Sequence, residues 1–391
     1  MALYLDHNAT TLLDPLVLEA MRPFLTVHYA NPSATHEPGR SARRSIDKAR
    51  EQVAAALNAD PSEVIFTSSG SEANNLLIQG VARAVREDWS GEISLGCSQT
   101  EHPCVLEPMR AMSRQGFGLT EMHVDTNGVL SVDTVSELSA STKLVSVMSA
   151  NNETGVIQPV ADLANGFRAS HNGYFHTDAV QALGKQPLSF CQLKDAGVSA
   201  LTVSAHKVGG PKGAAALLRV RSLPMQPLIY GGGQEDGLRS GTENVAAIVG
   251  FGLACERAVS ALDLRIQRAR ACKELLESGL RQRGAIIFAE AASRLPNTTY
   301  AAFSGIDGET LVSLLDREQV AISSGAACGS GKAGISAVLS AMGVDPLLAK
   351  GAIRVSLGMM PDAATDRLEV EQFLLQLDVV LGQLRRFAAV A

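Results

Sequence analysis

The segment SAHKVGGPKG, residues 204–213, ends a short apolar run with Ser204, His206 and Lys207 and then turns glycine-rich. An amine at the end of a buried strand is partly desolvated, which lowers its pKa and makes it a nucleophile toward carbonyl carbons. The simpler alternative is an exposed loop lysine. Other apolar runs also end in reactive residue types. TSSGSEANN sets Thr67, Ser68, Ser69, Gly70 and Ser71 ahead of an expected helix. Small residues and the free N–H groups of a helix N-terminus suit a phosphate; a plain N-cap by Ser69 or Ser71 gives the same pattern. SQTEHPCV puts His102 after a strand-like run, where a polar residue opening a helix is the plainer reading. SANNETG gives Asn151, Asn152 and Glu153 in a turn, and FHTDAVQALGK gives Asp178 and Gln181 at a strand end. A single Asp there is more often a helix cap than a catalyst.

In one chain these residues gain meaning together. A Schiff-base lysine (Lys207), a carboxylate for a pyridinium nitrogen (Asp178) and donors for a phosphate (Ser204, His206 and the Gly70 region) are the parts of a pyridoxal-phosphate site. A thiol adds to them. In VAISSGAACGSGKAG, residues 320–334, Cys328 has no apolar neighbours at helix or strand spacing. It leans toward an exposed thiol on a loop rather than a core residue, with an accident of composition as the alternative.

The elements that must hold these residues follow from periodicity. Ile46, Ala49, Val53, Ala56 and Leu57 recur at helical spacing over 41–57. EVIFT, EISLGCS, KLVSVMSANN, GYFHTDAV and ALTVSAHK are short apolar runs ending in polar residues, separated by helix-like segments such as 103–115 and 159–170. Strands alternating with helices predict an α/β fold, a mostly parallel sheet flanked by helices, with ligands beyond the carboxyl ends of the strands. After about residue 255 the pattern changes. One long charged helix is expected over 256–283, then strand-like runs (GAIIFAE, TTYAAFSG, VAISSG, AIRVSLG), a helix at 309–318 and a last amphipathic helix near 366–386. This predicts a large domain over 15–255 and a smaller α+β C-terminal domain over 256–391, with residues 1–14 packed onto the latter.

Composition narrows the function. The 391 residues are 46% hydrophobic and 19% charged, with a net charge of −6. That balance gives no electrostatic case for nucleic acid or a membrane surface. No apolar run approaches the ~18–20 residues that span a bilayer, and MALYLDHNAT lacks the basic and apolar regions of a signal peptide. The six cysteines show no CxxC pairing. They read as reduced thiols of a cytoplasmic protein, with no disulfide framework and no zinc site.

From YLDHNATTLLDP through ANPSATH, VIFTSSGSEANN, TEHP, NNETG, HTDAVQALGK, SAHKVGGPKG, YGGGQEDGLRSGTEN and SSGAAC to IRVSLG, the sequence resembles the cysteine desulfurases of the NifS/IscS type. These belong to the class V aminotransferase group of fold-type I pyridoxal-phosphate enzymes. The resemblance implies that Lys207 holds the cofactor as a Schiff base and shuttles protons, that Asp178 pairs with the pyridinium nitrogen, and that His102 stacks on the ring and assists proton transfer. Gln181 would bond the ring's phenolic oxygen. Gly70, Ser71, Ser204 and His206 would hold the phosphate, and Thr242 would reach the phosphate of a neighbouring subunit, implying a homodimer. Asn152, beside the cofactor, and Arg354 would bind the carboxylate of L-cysteine. Cys328 would attack the substrate sulfur, leave alanine and carry a persulfide to an acceptor such as an iron–sulfur scaffold protein. No resident metal is implied, although Cys328 could transiently ligate an iron–sulfur cluster.

Three departures stand out. GSGKAGIS follows Cys328 where many relatives carry Leu-Glu-Pro, although the loop keeps the length of the long-loop subgroup; Lys332 there could favour a nearby thiolate. The sequence closes at RRFAAVA, where housekeeping members continue into a segment that contacts the scaffold, so the acceptor stays open. His7-Asn8 in LDHNATT has no account from sequence. Other readings also stay open: a selenocysteine or C–S lyase with the same cofactor site, an aminotransferase acting on a small amino acid, and a binding or scaffold module that retained the fold.

Overall fold

The computed structural model describes residues 3–89, 91–324, 335–361 and 364–388. A seven-stranded sheet runs Val64–Thr67, Ala215–Arg219, Val198–Ser204, Tyr174–Asp178, Thr142–Ser146, Ser94–Ser98 and Gly118–Met122 across its width. Only Ala215–Arg219 is antiparallel to its neighbours. Val64–Thr67, Ser94–Ser98, Thr142–Ser146 and Val198–Ser204 are buried along their whole lengths. This is the signature of strands covered on both faces, and it explains why these runs read as continuously apolar rather than alternating.

Each face has its own core. Helices Glu37–Ala56 and Val245–Val259 contribute Ile46, Val53, Phe251 and Ala254 to one. Helices Gly70–Asp88 and Pro103–Ser113 contribute Leu76, Leu77, Val105 and Met109 to the other. The first pair packs backbone to backbone. A Cβ on Gly252 would lie 2.7 Å from Ala49 Cα, so only glycine permits that approach.

A second, four-stranded antiparallel sheet runs Ser323–Ser324, Ala352–Ser356, Thr298–Phe303 and Ala285–Ile287. Leu3–Tyr4 pairs in parallel with Val320–Ala321, and Leu3 and Leu5 join the core built from Leu276, Leu280, Ile353 and Phe373. The N-terminus therefore packs against this second sheet.

One expectation is corrected. Residues 256–283 are not one helix: Val245–Val259 and Leu262–Gln282 meet at 72°. The break falls at Ser260–Ala261, with Ala261 in the left-handed region at φ 50°. No Gly or Pro marks it. The two helices serve different cores: Phe251, Cys255 and Ala258 belong to the large sheet, Leu276 and Leu280 to the small one. Tertiary packing sets the bend against local propensity. Among the described residues no single helix is long and apolar enough to cross a membrane.

Candidate active site

The parallel strands deliver their polar end residues to one edge of the large sheet, where the second sheet closes over them. The resulting cleft has a volume of about 500 Å³. Gly70, Ser71, His102, Asn152, Asp178, Gln181, Ser204, His206, Lys207 and Arg354 all line it. Thr242 does not: it is exposed, ahead of helix Val245–Val259. Cys328 and Lys332 lie outside the described residues.

Lys207 sits in a single turn, Ala205–Lys207, directly after strand Val198–Ser204. It is half-buried rather than buried, and its Nζ donates to the carbonyls of Asn8 (2.6 Å) and Ala9 (2.7 Å). Asn8 ties the region together. Its carbonyl also accepts from Gln181 Nε2 (2.9 Å), its Oδ1 accepts from Lys185 Nζ (2.8 Å), and its Nδ2 donates to the Asn152 carbonyl (3.1 Å) and Thr298 Oγ1 (2.9 Å). Lys185 also donates to Gln181 Oε1 at 2.5 Å. That contact fixes the flip of the Gln181 amide and turns its N–H donors toward the Lys207 side. Burial pushes the Lys185 amine well down, and the charges of Lys207 and Arg354 push the same way. The His7-Asn8 pair left unexplained by sequence is thus partly accounted for: Asn8 satisfies buried donors from both sheets.

Asp178 ends strand Tyr174–Asp178 and is buried. Its Oδ1 accepts the Val180 N–H (2.9 Å), a local turn of the kind the plainer reading expects, while Oδ2 accepts from Asn74 Nδ2 (2.7 Å). His102 also satisfies both readings. It caps helix Pro103–Ser113, with Nδ1 accepting the Cys104 N–H (3.1 Å), and it lines the cleft. With Nδ1 used as an acceptor, the neutral imidazole carries its proton on Nε2. Burial lowers the His102 pKa, opposed by Asp178 and reinforced by Lys207.

Ser69 caps helix Gly70–Asp88 through its hydroxyl, which accepts from Glu72 N (3.1 Å). This leaves Gly70 and Ser71 at the mouth of the helix N-terminus. A Cβ on Gly70 would come to 3.2 Å from Val180 Cγ2 and 4.0 Å from Ser204 Cβ, filling the space beside those N–H groups. A glycine-lined cup at a helix N-terminus, a carboxylate at Asp178 and an amine at Lys207 fit the phosphate, ring nitrogen and aldehyde of pyridoxal phosphate.

Arg354 is not a surface charge. It lies on strand Ala352–Ser356, buried, with Nη2 on Asp6 Oδ1 (2.7 Å) and Nη1 on the Asn152 carbonyl (3.1 Å). Its Nε is buried and lacks a hydrogen-bond partner.

Sequence reasoning missed Asp6, Asn74, Glu101, Cys104 and Lys185 as parts of this site. Glu101 is fully buried, with Oε1 accepting from Met148 N (2.5 Å). Burial first, and Asp178 nearby, push its pKa well up. Cys104 Sγ lies 2.9 Å from His102 Nδ1 and 3.9 Å from Asp178 Oδ2. Burial and the Asp178 charge push that thiol up as well, making it unreactive at neutral pH. Asn74, Glu101, Cys104 and Lys185 sit inside the motifs already quoted, but nothing in their types marked them.

The buried histidines predict acid lability. His176 lies fully buried between Ser146 Oγ (2.8 Å) and Thr202 Oγ1 (3.1 Å), and burial pushes it down to about 3. Burial also brings His7 and His206 down to about 4. A histidine depressed in the folded state contributes its stability above its unfolded pKa, near 6.5, and loses it as pH falls toward the folded value. The contribution of His176 should shrink by about 2 kcal/mol between pH 7 and pH 5. Denaturant titrations at both pH values, compared with His176→Gln, should show the variant losing that much less stability; equal losses would refute the assignment.

The aminotransferase class-V family model matches residues 3–372. A protein from Dictyoglomus turgidum described as cysteine desulfurase IscS is 41% identical over 359 residues, covering 91% of this chain and 89% of that protein. The mitochondrial cysteine desulfurase of Arabidopsis thaliana is 40% identical over 363 residues, covering 91% of this chain and 78% of that one. The solved structure of a NifS-like protein superposes with a TM-score of 0.90 at 38% identity, covering 98% of this chain and all of that one. A structure described as SspA in complex with cysteine matches with a TM-score of 0.78 at 32% identity, covering 91% of this chain and 99% of that one.

Proposed function

Because this chain belongs to the class-V aminotransferase family, we propose that it is a pyridoxal-phosphate-dependent cysteine desulfurase, converting L-cysteine to L-alanine and passing the sulfur on as a Cys328 persulfide. The observation that carries this reading is that Lys207, Asp178 and Arg354 line one cleft. Pyridoxal phosphate, when bound, supplies an electron sink for the carbon that bears the substrate amine. Lys207 would hold it, Asp178 its ring nitrogen, Gln181 its phenolic oxygen, and Gly70, Ser71, Ser204 and His206 its phosphate. His206 takes part as a neutral donor, since burial keeps it uncharged at pH 7.

The chain's own groups do the rest. Arg354 and Asn152 orient the substrate carboxylate, with Arg354 itself held by Asp6. Lys207 takes and returns the proton at the amine-bearing carbon, and neutral His102 presents Nε2–H to the cleft. The Cys328 thiolate attacks the substrate sulfur. An S–S bond forms as the C–S bond breaks, the electron pair goes to carbon, and a proton completes the methyl group of alanine. The proposal includes a homodimer in which Thr242 serves the partner's phosphate, a cytoplasmic location, and an acceptor such as an iron–sulfur scaffold protein.

The test is alanine and sulfide release from cysteine and from selenocysteine, under reductant, by wild type and Cys328→Ser. Cys328→Ser is expected to keep the bound cofactor and to lose sulfide release from cysteine. Full sulfide release by the variant would mean lyase chemistry without a persulfide.

A further inference from the structure

A second cavity, of about 640 Å³, opens at the break between helices Val245–Val259 and Leu262–Gln282, with Gly358, Met359, Pro361 and Thr365 on its other side. Its size is that of a small-molecule site. None of the candidate active-site residues lines it. Leu264, Ala269 and Met359 give it an apolar wall, and Arg265, Arg268 and Arg367 give it positive charge.

Arg265 is the informative residue. It is 7% exposed, yet no described carboxylate pairs with it. One Nη donates to the Ala258 carbonyl, the other meets Met360 Sδ at 3.4 Å, and Nε is buried without a partner. Buried cations are ordinarily matched by an anion, because an uncompensated charge in a poorly solvated site is costly. Its charged neighbours do not supply one. Arg257, also lining the cavity, pairs with Asp14 and adds a like charge. Asp366, the acidic residue among the described lining, is engaged in capping helix Arg367–Ala388 by accepting the Glu369 N–H (2.9 Å). Arg268 is exposed at the rim, and Arg367 pairs outward with Glu371. Helix Leu262–Gln282 also starts here, on Ala261, which gives its first-turn N–H groups no side-chain cap. The apolar wall, the buried unmatched guanidinium and the uncapped helix start converge on one cavity.

We propose that this cavity binds a small organic oxyanion, a carboxylate or phosphate on a compact apolar body. Arg265 and Arg268 meet the charge, and Leu264, Ala269 and Met359 take the body. The site is separate from the cysteine-cleaving cleft and independent of the reading given to it. Met359 connects the two regions, since it also lines a narrow gap beside Lys207 and Lys185.

Calorimetric titration of the cofactor-loaded enzyme, whose active-site phosphate cup is filled, tests the proposal with four probes: phenyl phosphate, benzoate, inorganic phosphate and phenol. Phenyl phosphate or benzoate is expected to bind at one site per chain, more tightly than inorganic phosphate or phenol; which of the two prevails identifies the oxyanion. Arg265→Met and Arg268→Glu are each expected to weaken that binding about tenfold or more, the loss of a charge-assisted hydrogen bond, with cysteine turnover retained. Arg268 is exposed, so its variant carries the test if Arg265→Met fails to fold. No binding of either organic anion at millimolar concentration, phenol binding as tightly as both, or undiminished affinity in the variants would overturn the proposal.

Discussion

Lys207→Ala is expected to stay folded and to lose cysteine turnover by at least about 10²–10⁴-fold, the scale of a lost proton-transfer group. The fold should survive because the Lys207 side chain is half-buried and its amine donates to two backbone carbonyls, those of Asn8 and Ala9. The chemistry should not survive, because no other amine among the described residues lines the cleft; Lys185 is buried and engaged with Gln181 and Asn8. Lys207→Arg separates charge from chemistry. It keeps a cation at the strand end but cannot be deprotonated to act as nucleophile or base. Alanine formation should therefore be lost equally in both variants, and the visible absorbance of the loaded enzyme should change in both. Turnover by Lys207→Arg within tenfold of wild type would remove Lys207 from the mechanism.

Arg354→Met is expected to lower kcat/KM for cysteine by about 10²–10³-fold, the worth of a bidentate carboxylate contact in a poorly solvated site. Asp6 and the Asn152 carbonyl hold two of the three guanidinium nitrogens, and the third, Nε, is buried without a partner. The same substitution should also destabilise the fold, since it leaves the partly buried Asp6 carboxylate without its cation. A double variant separates the two effects. Adding Asp6→Asn to Arg354→Met should recover much of the stability in denaturant melts while kcat/KM stays low. Arg354→Lys should fall between, keeping charge but losing the planar fork. An unchanged KM for cysteine in Arg354→Met would exclude Arg354 from substrate binding. Unchanged kinetics together with lost stability would make the Asp6 pair purely structural.

The first prediction concerns a residue just past a strand end, the part of the molecule that was readable from the sequence; Arg354 lies in the middle of its strand and carried no such signal. A strand buried on both faces must be apolar until it leaves the sheet, so its first polar residues mark the sheet edge in a purely local pattern. ALTVSAHK and GYFHTDAV therefore announced Lys207 and Asp178, and TSSGSEANN announced a helix mouth. The double role of His102, as cap and cleft residue, was also implicit, because both readings follow from its position before Pro103. Cys328 stood out by the opposite signal, a cysteine without apolar company.

What the sequence alone determined is thus the kind of chemistry, the alternation of strands and helices, and the residues at the strand ends. Tertiary structure decided which charges were buried and what satisfied them. Arg354 meets Asp6 across 348 residues of chain, and Asn8 meets Thr298 across 290. No periodicity spans such distances, and the side chains involved look like ordinary surface polars in their own segments. The bend at Ala261 is of the same kind. Local propensity favoured one continuous helix, and the competition between two cores, each claiming half of it, turned the chain through 72°.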